Sequence, residues 1–454
     1  MPPLLLVLAL LAPLPMARAG DELPPNLLVV VMDDVGVDQL AAYGLGSAPA
    51  NTPTLDALWS KGVLFDGVWS APICSPTRAH LMTGRFGFRT GVGGLVQNGS
   101  APLPLEEATL PELLDAGTGG LYQHACFGKW HLGMTPEVDG LLAPNSAGFG
   151  HFAGTKGNLF AEHPPGSLPV DYYTLIEITN GVEQYLEGQY ATTRTADLAL
   201  EWMQTTPEPW YAHVNFHAPH DPWHAPPPEL HTVDLSTAGP PELDPNPYYR
   251  AALEALDTEL GRVLASMGEL LDRTVVVIVA DNGSPGPVVL PPFKQTKAKT
   301  TLYQGGIRVP LIISGPGVAT NFSVCHAPVQ TTDLVATLLE LAGVDLAGTP
   351  EVPADFDSIS LVPYLQDPSQ PPLREVLYAE RFTPNGLGPY VNVKQTARSE
   401  RYKVIRDTSA PKQFYDLWVD PLEEVNLLGG TLTVLEQRAL RQLDLAIDAL
   451  KPLP

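Results

Sequence analysis

Two apolar runs that each stop abruptly at acids constrain the fold of this chain more than any other feature. Asn26–Met32 reads NLLVVVM and leads straight into Asp33 and Asp34, while Thr274–Ala280 reads TVVVIVA and leads into Asp281, Asn282 and Gly283. A strand that is apolar at every position has no face to offer water. Such runs predict a largely parallel sheet covered on both faces by helices. Trp210–Phe216, ending in His217-Ala-Pro-His220, and Val309–Ser314 are two further strand candidates. Between them, Thr193–Met203, Tyr248–Met267 and Thr331–Leu341 carry helical apolar spacing, with Leu253, Leu256, Leu260, Val263, Leu264 and Met267 along one side of the longest. Alternating strands and helices predict an α/β fold. In such sheets ligands collect beyond the carboxyl ends of the strands, where the acids, the amide and the histidines stand.

The expected organisation is a large unit over residues 20–345, a loop-like linker over 346–372 and a smaller α+β unit over 373–454. In the last, Tyr402–Arg406 and Gln413–Trp418 read as paired strands and Thr431–Leu450 as a closing amphipathic helix. Met134–Gln189 and the proline-rich Pro207–Pro247 read as long insertions able to wall a pocket. Residues 1–19 read as a signal peptide: Leu4–Leu11 is an apolar run too short to span a bilayer, Pro13 and Pro15 break it, and Ala17-Arg18-Ala19 is a small-x-small cleavage site. The two prolines disfavour the alternative of a buried helix. The expectation is an exported protein, periplasmic or secreted, with no membrane anchor.

The chain has 454 residues, 44% hydrophobic and 17% charged, which excludes a disordered polymer. Its 50 Asp+Glu against 26 Lys+Arg give a net charge of -24 and argue against nucleic acid as a partner, because phosphate backbones need basic patches. The acids are unevenly spread. Gly67–Leu105, Ala116–Pro136 and Gly283–Thr332 contain none, yet carry Arg78, Arg85, Arg89, Lys129, His131, Lys294, Lys297, Lys299 and Arg308. If those stretches converge, they form a positive cleft for an anionic substrate in an acidic protein; if not, they are simply Gly- and Pro-rich loops. Three cysteines are too few for a disulfide scaffold, and Cys126 and Cys325 are left either paired or free.

Cys74-Ser-Pro-Thr-Arg78 is the most informative pentapeptide. Pro76 suits the first turn of a helix that Gly84 would end. Cys74 then stands at the helix N-terminus, where unpaired N–H groups favour negative charge, with Arg78 one turn on and on the same side, placed to pair with an anionic oxygen on the group at position 74. Asp33, Asp34, Asp281 and Asn282 are hard oxygen ligands suited to Ca²⁺ or Mg²⁺, although paired aspartates also cap helices and turns. Most of the eleven histidines are expected to have surface or packing roles.

Cys74-x-Pro76-x-Arg78, continued as Ala79-His-Leu-Met-Thr83-Gly84-Arg85, resembles the signature of the type I sulfatases, and Gly128-Lys129-Trp130-His131-Leu132-Gly133 resembles the second signature of that family. Tyr415-Asp-Leu-Trp-Val-Asp-Pro421 with Glu423 resembles its C-terminal signature, read here as holding the small unit against the large one. The resemblance runs from Asn26 to about Leu428. It implies an alkaline-phosphatase-like fold: a large mixed, mostly parallel sheet flanked by helices with a smaller C-terminal α+β subdomain. It also implies a sulfuric ester hydrolase that releases sulfate from an aryl or carbohydrate ester. Cys74 would become formylglycine through a formylglycine-generating enzyme. One divalent ion, Ca²⁺ or Mg²⁺, would be held by Asp33, Asp34, residue 74, Asp281 and Asn282. Lys129 would contact sulfate, His131 assist the diol, His220 protonate the leaving alcohol, and Lys299 bridge sulfate and leaving group. Lys294 and Lys297 are expected to be solvated or substrate-facing. A small sulfate ester or the end of a sulfated glycan is the expected substrate. Two other functions fit the same residues: a phosphate or phosphonate ester hydrolase of the same superfamily, and a non-catalytic sulfated-glycan binder.

Overall fold

The computed structural model describes residues 23–97, 99–159 and 170–450; the expected signal peptide, residues 1–19, lies outside them. The strands, in chain order, are β1 Asn26–Met32, β2 Gly62–Phe65, β3 Val68–Trp69, β4 Gln123–Lys129, β5 His151–Thr155, β6 Thr174–Thr179, β7 Val182–Glu187, β8 Trp210–Asn215, β9 Thr274–Ala280, β10 Leu311–Ser314, β11 Ser323–Cys325, β12 Val329–Gln330, β13 Leu377–Thr383, β14 Val391–Arg398, β15 Tyr402–Asp407 and β16 Ala410–Asp416. Ten of them form one sheet in the order β11-β2-β10-β9-β1-β8-β4-β5-β6-β7. Its centre, β9-β1-β8-β4-β5, is parallel throughout. Every residue of β1 and β9 is buried, as expected of nearly continuous apolar runs.

Parallel register is what assembles the site. Met32 pairs with Ala280 and Val31 with Asn215, while Gly128 on β4 also pairs with Asn215. The residues that follow β1, β8 and β9 therefore leave the sheet at one edge, next to Lys129 at the end of β4.

Two sequence expectations change. Met134–Gln189 is not simply an irregular insertion: it supplies β5, β6 and β7, which extend the sheet, with β6 antiparallel to β5 and β7 antiparallel to β6. These strands are short, and β7 is largely exposed, so they lack the apolar run that marks a central strand. The strand expected over Val309–Ser314 begins at Leu311 and runs antiparallel to both β9 and β2. Cys126 lies on β4 and Cys325 on β11, six strands apart in the sheet. At about 4.8 Å per strand that separation far exceeds the roughly 7 Å limit for a disulfide, and both thiols are free and buried.

The second sheet, β13-β14-β15-β16, is an antiparallel meander. The helix Val434–Leu450 buries Leu443 and Ile447 beside Tyr402, Val404 and Phe414. A separate apolar cluster forms the seam between the two sheets: Trp69, Leu302 and Ile307 from one side meet Leu377, Ala379, Ile405, Tyr415 and Leu417 from the other. Residues 346–372 contain the short helix Val362–Gln366, whose Tyr364 and Leu365 are buried in the main core. Among the described residues no helix is long and apolar enough to cross a membrane.

Candidate active site

The helix Cys74–Thr83 starts at Cys74, carries Pro76 in its first turn and ends at Gly84, whose φ of 66° closes the last turn through a bond from its N–H to the His80 carbonyl, 2.8 Å. All ten of its residues are buried. Thr77 Oγ1 ties the entry by accepting the Ala71 N–H at 2.9 Å. Ser75 Oγ accepts the Val96 N–H at 3.0 Å, bringing the 91–97 loop to the same place. Cys74 Sγ lies 3.6 Å from Asp33 Oδ1.

Asp33, Asp34, Cys74 and His220 each present a potential ligand atom within 4.8 Å of the others, all four side chains buried. Asp281 and Asn282 flank this group. Asp281 Oδ1 accepts the Asp34 N–H at 3.1 Å, and Asn282 Nδ2 donates to Asp34 Oδ1 at 2.7 Å. Two buried oxygens, Asp34 Oδ2 and Asn282 Oδ1, accept no hydrogen bond here. Buried acceptors are normally satisfied, and hard oxygens without donors suit a hard divalent cation. The residues thus fit such an ion.

Arg78 does not spend its donors on residue 74. Its Nε and Nη2 hold Asp281 Oδ2 at 3.1 and 2.8 Å, and its Nη1 donates to the Lys129 carbonyl and to Asn215 Oδ1, both at 3.0 Å. One guanidinium therefore ties together the ends of β4, β8 and β9. Asn215 was not among the expected site residues. Its signal in the sequence was an amide placed last in an otherwise buried strand.

Lys129 Nζ pairs with Asp33 Oδ2, and Lys299 Nζ lies 2.5 Å from Asp34 Oδ1. Asp33, Asp34 and Asp281 thus face Arg78, Lys129 and Lys299. Burial alone would raise Asp33, but Lys129, His220, Arg78 and Lys299 hold it well below the usual carboxylate range. Burial would lower Lys299, yet Asp34, Cys74 and Asp33 raise it, so it stays a cation. Burial pushes the Cys74 thiol up. Burial, with Lys129 and Arg78 adding, holds His131 well below the usual histidine range and therefore neutral.

His220 Nδ1 lies 2.6 Å from the Asp221 carbonyl, which points Nε2 inward, 3.7 Å from Asp34 Oδ2. His217 instead meets Thr155 Oγ1 at 2.7 Å, and His224 stacks on Tyr172 at 3.8 Å between ring centroids. Both are packing residues. Gly128 lies beside Lys129 with φ of 78°, and a Cβ there would sit 2.0 Å from the Asn215 carbonyl oxygen, so only glycine fits. Asp34, His131 and Thr300 also adopt positive φ, at 71°, 60° and 77°. For a β-branched residue such as Thr300 this is unusual, and strained backbone of this kind gathers at functional sites. Sequence gave no hint of it.

The remaining basic residues of the acid-free stretches do not converge here. Arg85 and Arg89 pair with Glu107, Asp355 and Asp357, and Arg308 Nε donates to the Asp66 carbonyl. Lys294 and Lys297 are not substrate-facing: both pair with Glu424, and Lys297 also donates to the Leu422 and Glu423 carbonyls. Glu423 accepts the Gln304 N–H at 2.6 Å and pairs at 2.6 Å with Lys403, whose Nζ also donates to the Leu302 carbonyl. The C-terminal sheet thereby fixes the segment just after Lys299.

Comparison with known proteins gives a consistent picture. The sulfatase family model matches residues 25–344, and a model described as N-sulphoglucosamine sulphohydrolase, C-terminal, matches residues 296–445. Human arylsulfatase A is 30% identical over 97% of this chain and 90% of its own length. Human N-acetylgalactosamine-6-sulfatase is 30% identical over 77% of this chain and 67% of its own. Among solved structures, Ps i-CgsB in complex with a neocarrahexaose superposes with a TM-score of 0.74 at 24% identity, covering 92% of each chain. BT4656 in complex with D-glucosamine-2-N,6-O-disulfate superposes with a TM-score of 0.72 at 22% identity, covering 95% of this chain and 98% of that one.

Proposed function

Because the chain belongs to the sulfatase family and is an enzyme that hydrolyses sulfate esters, we propose that its nucleophile is residue 74, converted from Cys74 to formylglycine. The observation that carries this reading is the meeting of Cys74 with Asp33, Asp34 and His220 at one buried point. Hydrated formylglycine supplies a geminal diol, one hydroxyl to attack sulfur and a second to drive sulfate out, where an ordinary side chain would remain esterified. Asp33, Asp34, residue 74, Asp281 and Asn282 would hold one divalent ion, Ca²⁺ by preference, which supplies a Lewis acid for the diol and for sulfate oxygens.

The chain's own groups do the rest. Lys129 and Lys299, fixed cations on opposite carboxylates, bind and orient the sulfate oxygens. Arg78 holds Asp281 and the strand ends in register. Neutral His131 assists the diol by taking its proton. His220 Nε2 donates a proton to the leaving alcohol oxygen. Buried surroundings exclude bulk water and strengthen each of these contacts.

The substrate we favour is a small sulfate ester or the end of a sulfated glycan, because the group that meets it is sunk below the surface. The names and ligands of the similar proteins, which include an N-acetylgalactosamine-6-sulfatase and a complex with a disulfated glucosamine, support a sulfated sugar. We assign residues 20–345 to the catalytic domain and 373–454 to the C-terminal subdomain, joined through 346–372. We further assign the chain to an exported compartment, with a formylglycine-generating enzyme as its maturation partner.

Mass spectrometry of the peptide containing residue 74, combined with sulfate release from an aryl sulfate, tests the mechanism. Active protein is expected to carry the aldehyde or its hydrate; active protein with an unmodified thiol would reject it. Turnover of matched aryl sulfate and phosphate esters is expected to favour sulfate, and a strong preference for phosphate would move the protein to phosphate ester hydrolysis.

A further inference from the structure

Arg381, near the end of β13, is a cation that the sulfatase reading does not use. Among the described residues no carboxylate lies within ion-pair distance of it, although acids outnumber bases nearly two to one. Its neighbour Glu380 cannot neutralise it. Successive strand residues point to opposite faces, and Glu380 is turned inward to accept the Phe88 N–H at 2.6 Å and the Tyr378 hydroxyl at 2.9 Å. Arg381 shares its face with Ala379, which packs in the seam against the catalytic body.

One contact locates the guanidinium, and the segment after it reaches a second part of the site. Its Nη1 donates to the Thr300 carbonyl at 2.9 Å, one residue from Lys299. Four residues on, Asn385 Oδ1 accepts the N–H groups of Gly93 and Gly94 at 3.1 and 2.8 Å, gripping the loop whose Val96 is bonded to Ser75. Arg381 therefore sits against the segment that carries Lys299, and the chain that follows it holds the loop that reaches the residue after Cys74. Directly across the ladder stands Lys394, another cation, which pairs with Asp407 at 3.1 Å. Like charges directly opposite one another destabilise a sheet, and burial of the Arg381 guanidinium adds to that cost. A half-buried cation with no carboxylate partner among the described residues, donating only to a carbonyl one residue from Lys299, has the form of a receptor for negative charge from outside the chain.

The geometry points to Arg381 as a specificity-determining residue that binds a second anionic group, a carboxylate or a further sulfate, on the leaving-group side of the substrate. This rests on the sulfate ester reading. The second anion is a separate substituent from the sulfate held by Lys129 and Lys299.

The test compares two aryl sulfates that differ only in a carboxylate on the ring. Arg381→Gln is expected to reduce the ratio of kcat/KM for the carboxylated ester to that for the uncharged one by about tenfold or more, the scale of a lost charge-assisted hydrogen bond. Arg381→Lys, which keeps the charge, is expected to recover part of it. An unchanged ratio in Arg381→Gln would overturn the inference. Equilibrium binding of the same two esters to Cys74→Ala, with Arg or Gln at position 381, gives a readout independent of turnover. Discrimination in binding without sulfate release from either ester by the wild type would defeat the hydrolase reading and leave Arg381 standing. Turnover with no discrimination would do the reverse.

Discussion

Arg78 grips a single oxygen of Asp281 with two donors, Nε at 3.1 Å and Nη2 at 2.8 Å, and neither side chain reaches solvent. This guanidinium closes three strand ends onto the helix that begins at Cys74. Arg78→Met leaves the buried Asp281 without its guanidinium and is expected to cost about 3–5 kcal/mol, the range for breaking a buried pair, and to remove most sulfate release. A urea midpoint within error of the wild type would contradict the placement.

The buried oxygens of Asp34 and Asn282 that accept no hydrogen bond predict an ion that stabilises the folded state. Chelation is expected to lower the melting temperature and Ca²⁺ to restore it, by about 2.7 kcal/mol at a hundredfold excess over its Kd. Asp34→Asn should lose the calcium-dependent part of that rise. Calorimetry that shows the same melting curve with chelator and with calcium would refute the ion site.

His220 predicts a dependence on the alcohol released. A general acid matters most when the departing oxygen is basic. His220→Ala is expected to lose about 10²–10⁴-fold with an alkyl or sugar sulfate and far less with the sulfate of an acidic phenol. An equal loss across a series of leaving groups would remove His220 from that role.

Thr300 sits at φ 77°, where a β-branched side chain is strained and glycine is not. An L-residue there costs about 1–2 kcal/mol, against about 0.5–1 for the extra freedom of glycine in the unfolded chain. Thr300→Gly is therefore expected to leave stability unchanged or to raise it by up to about 1 kcal/mol. The same change should lower kcat/KM, because the backbone beside Lys299 gains freedom. A clear loss of stability in thermal melts would show that the strain is not there.

Stability should fall on acidification through the range just below neutrality. Burial holds His80, His213 and His217 down to about 3 and His224 to about 4, with Arg78 adding at His213 and Lys129 at His217. An unfolded histidine takes a proton near pH 6.5. Between about 6.5 and 4 the unfolded chain therefore binds more protons, and each of these groups removes up to about 1.4 kcal/mol per pH unit as pH falls. Asp257, which burial pushes up to about 6, works the other way: the folded state takes its proton first and gains stability as pH drops below 6. His80→Gln should flatten the dependence of the urea midpoint between pH 6 and 5 by about one proton. An identical slope in the variant would contradict the assignment.

How much of this was legible in the sequence varies with how many constraints each residue meets. β1 and β9 were readable because burial on both faces leaves only apolar choices, and the acids after them could be placed because parallel strands end together. The helix from Cys74 to Thr83 was readable from Pro76 and Gly84. The strands β5 to β7 were not, because none carries a long apolar run: β5 is five residues with a glycine, and β7 is largely exposed. The direction of β10 was equally hidden, since a buried strand has the same composition either way. Within the site, residue types were foreseeable but partners were not. Arg78 turns to Asp281 rather than to residue 74, and Lys297 and Lys403 bind the C-terminal segment, because those contacts depend on how distant parts of the chain meet.

The hold of Glu423 on Gln304 and Lys403 has a consequence for the order in which the enzyme is made. Cys74 emerges from the ribosome early, whereas the residues that fasten the Lys299 segment come near the end of translation. Until Glu423 has been added, its contacts to Gln304 and Lys403 cannot form. On the proposed formylglycine reading, a maturation enzyme would act on the thiol during that interval, before the segment after Lys299 is fastened from the C-terminal side. A truncation just before Leu417 would thus spare the nucleophile helix and the acids around it while leaving the clamp unlatched.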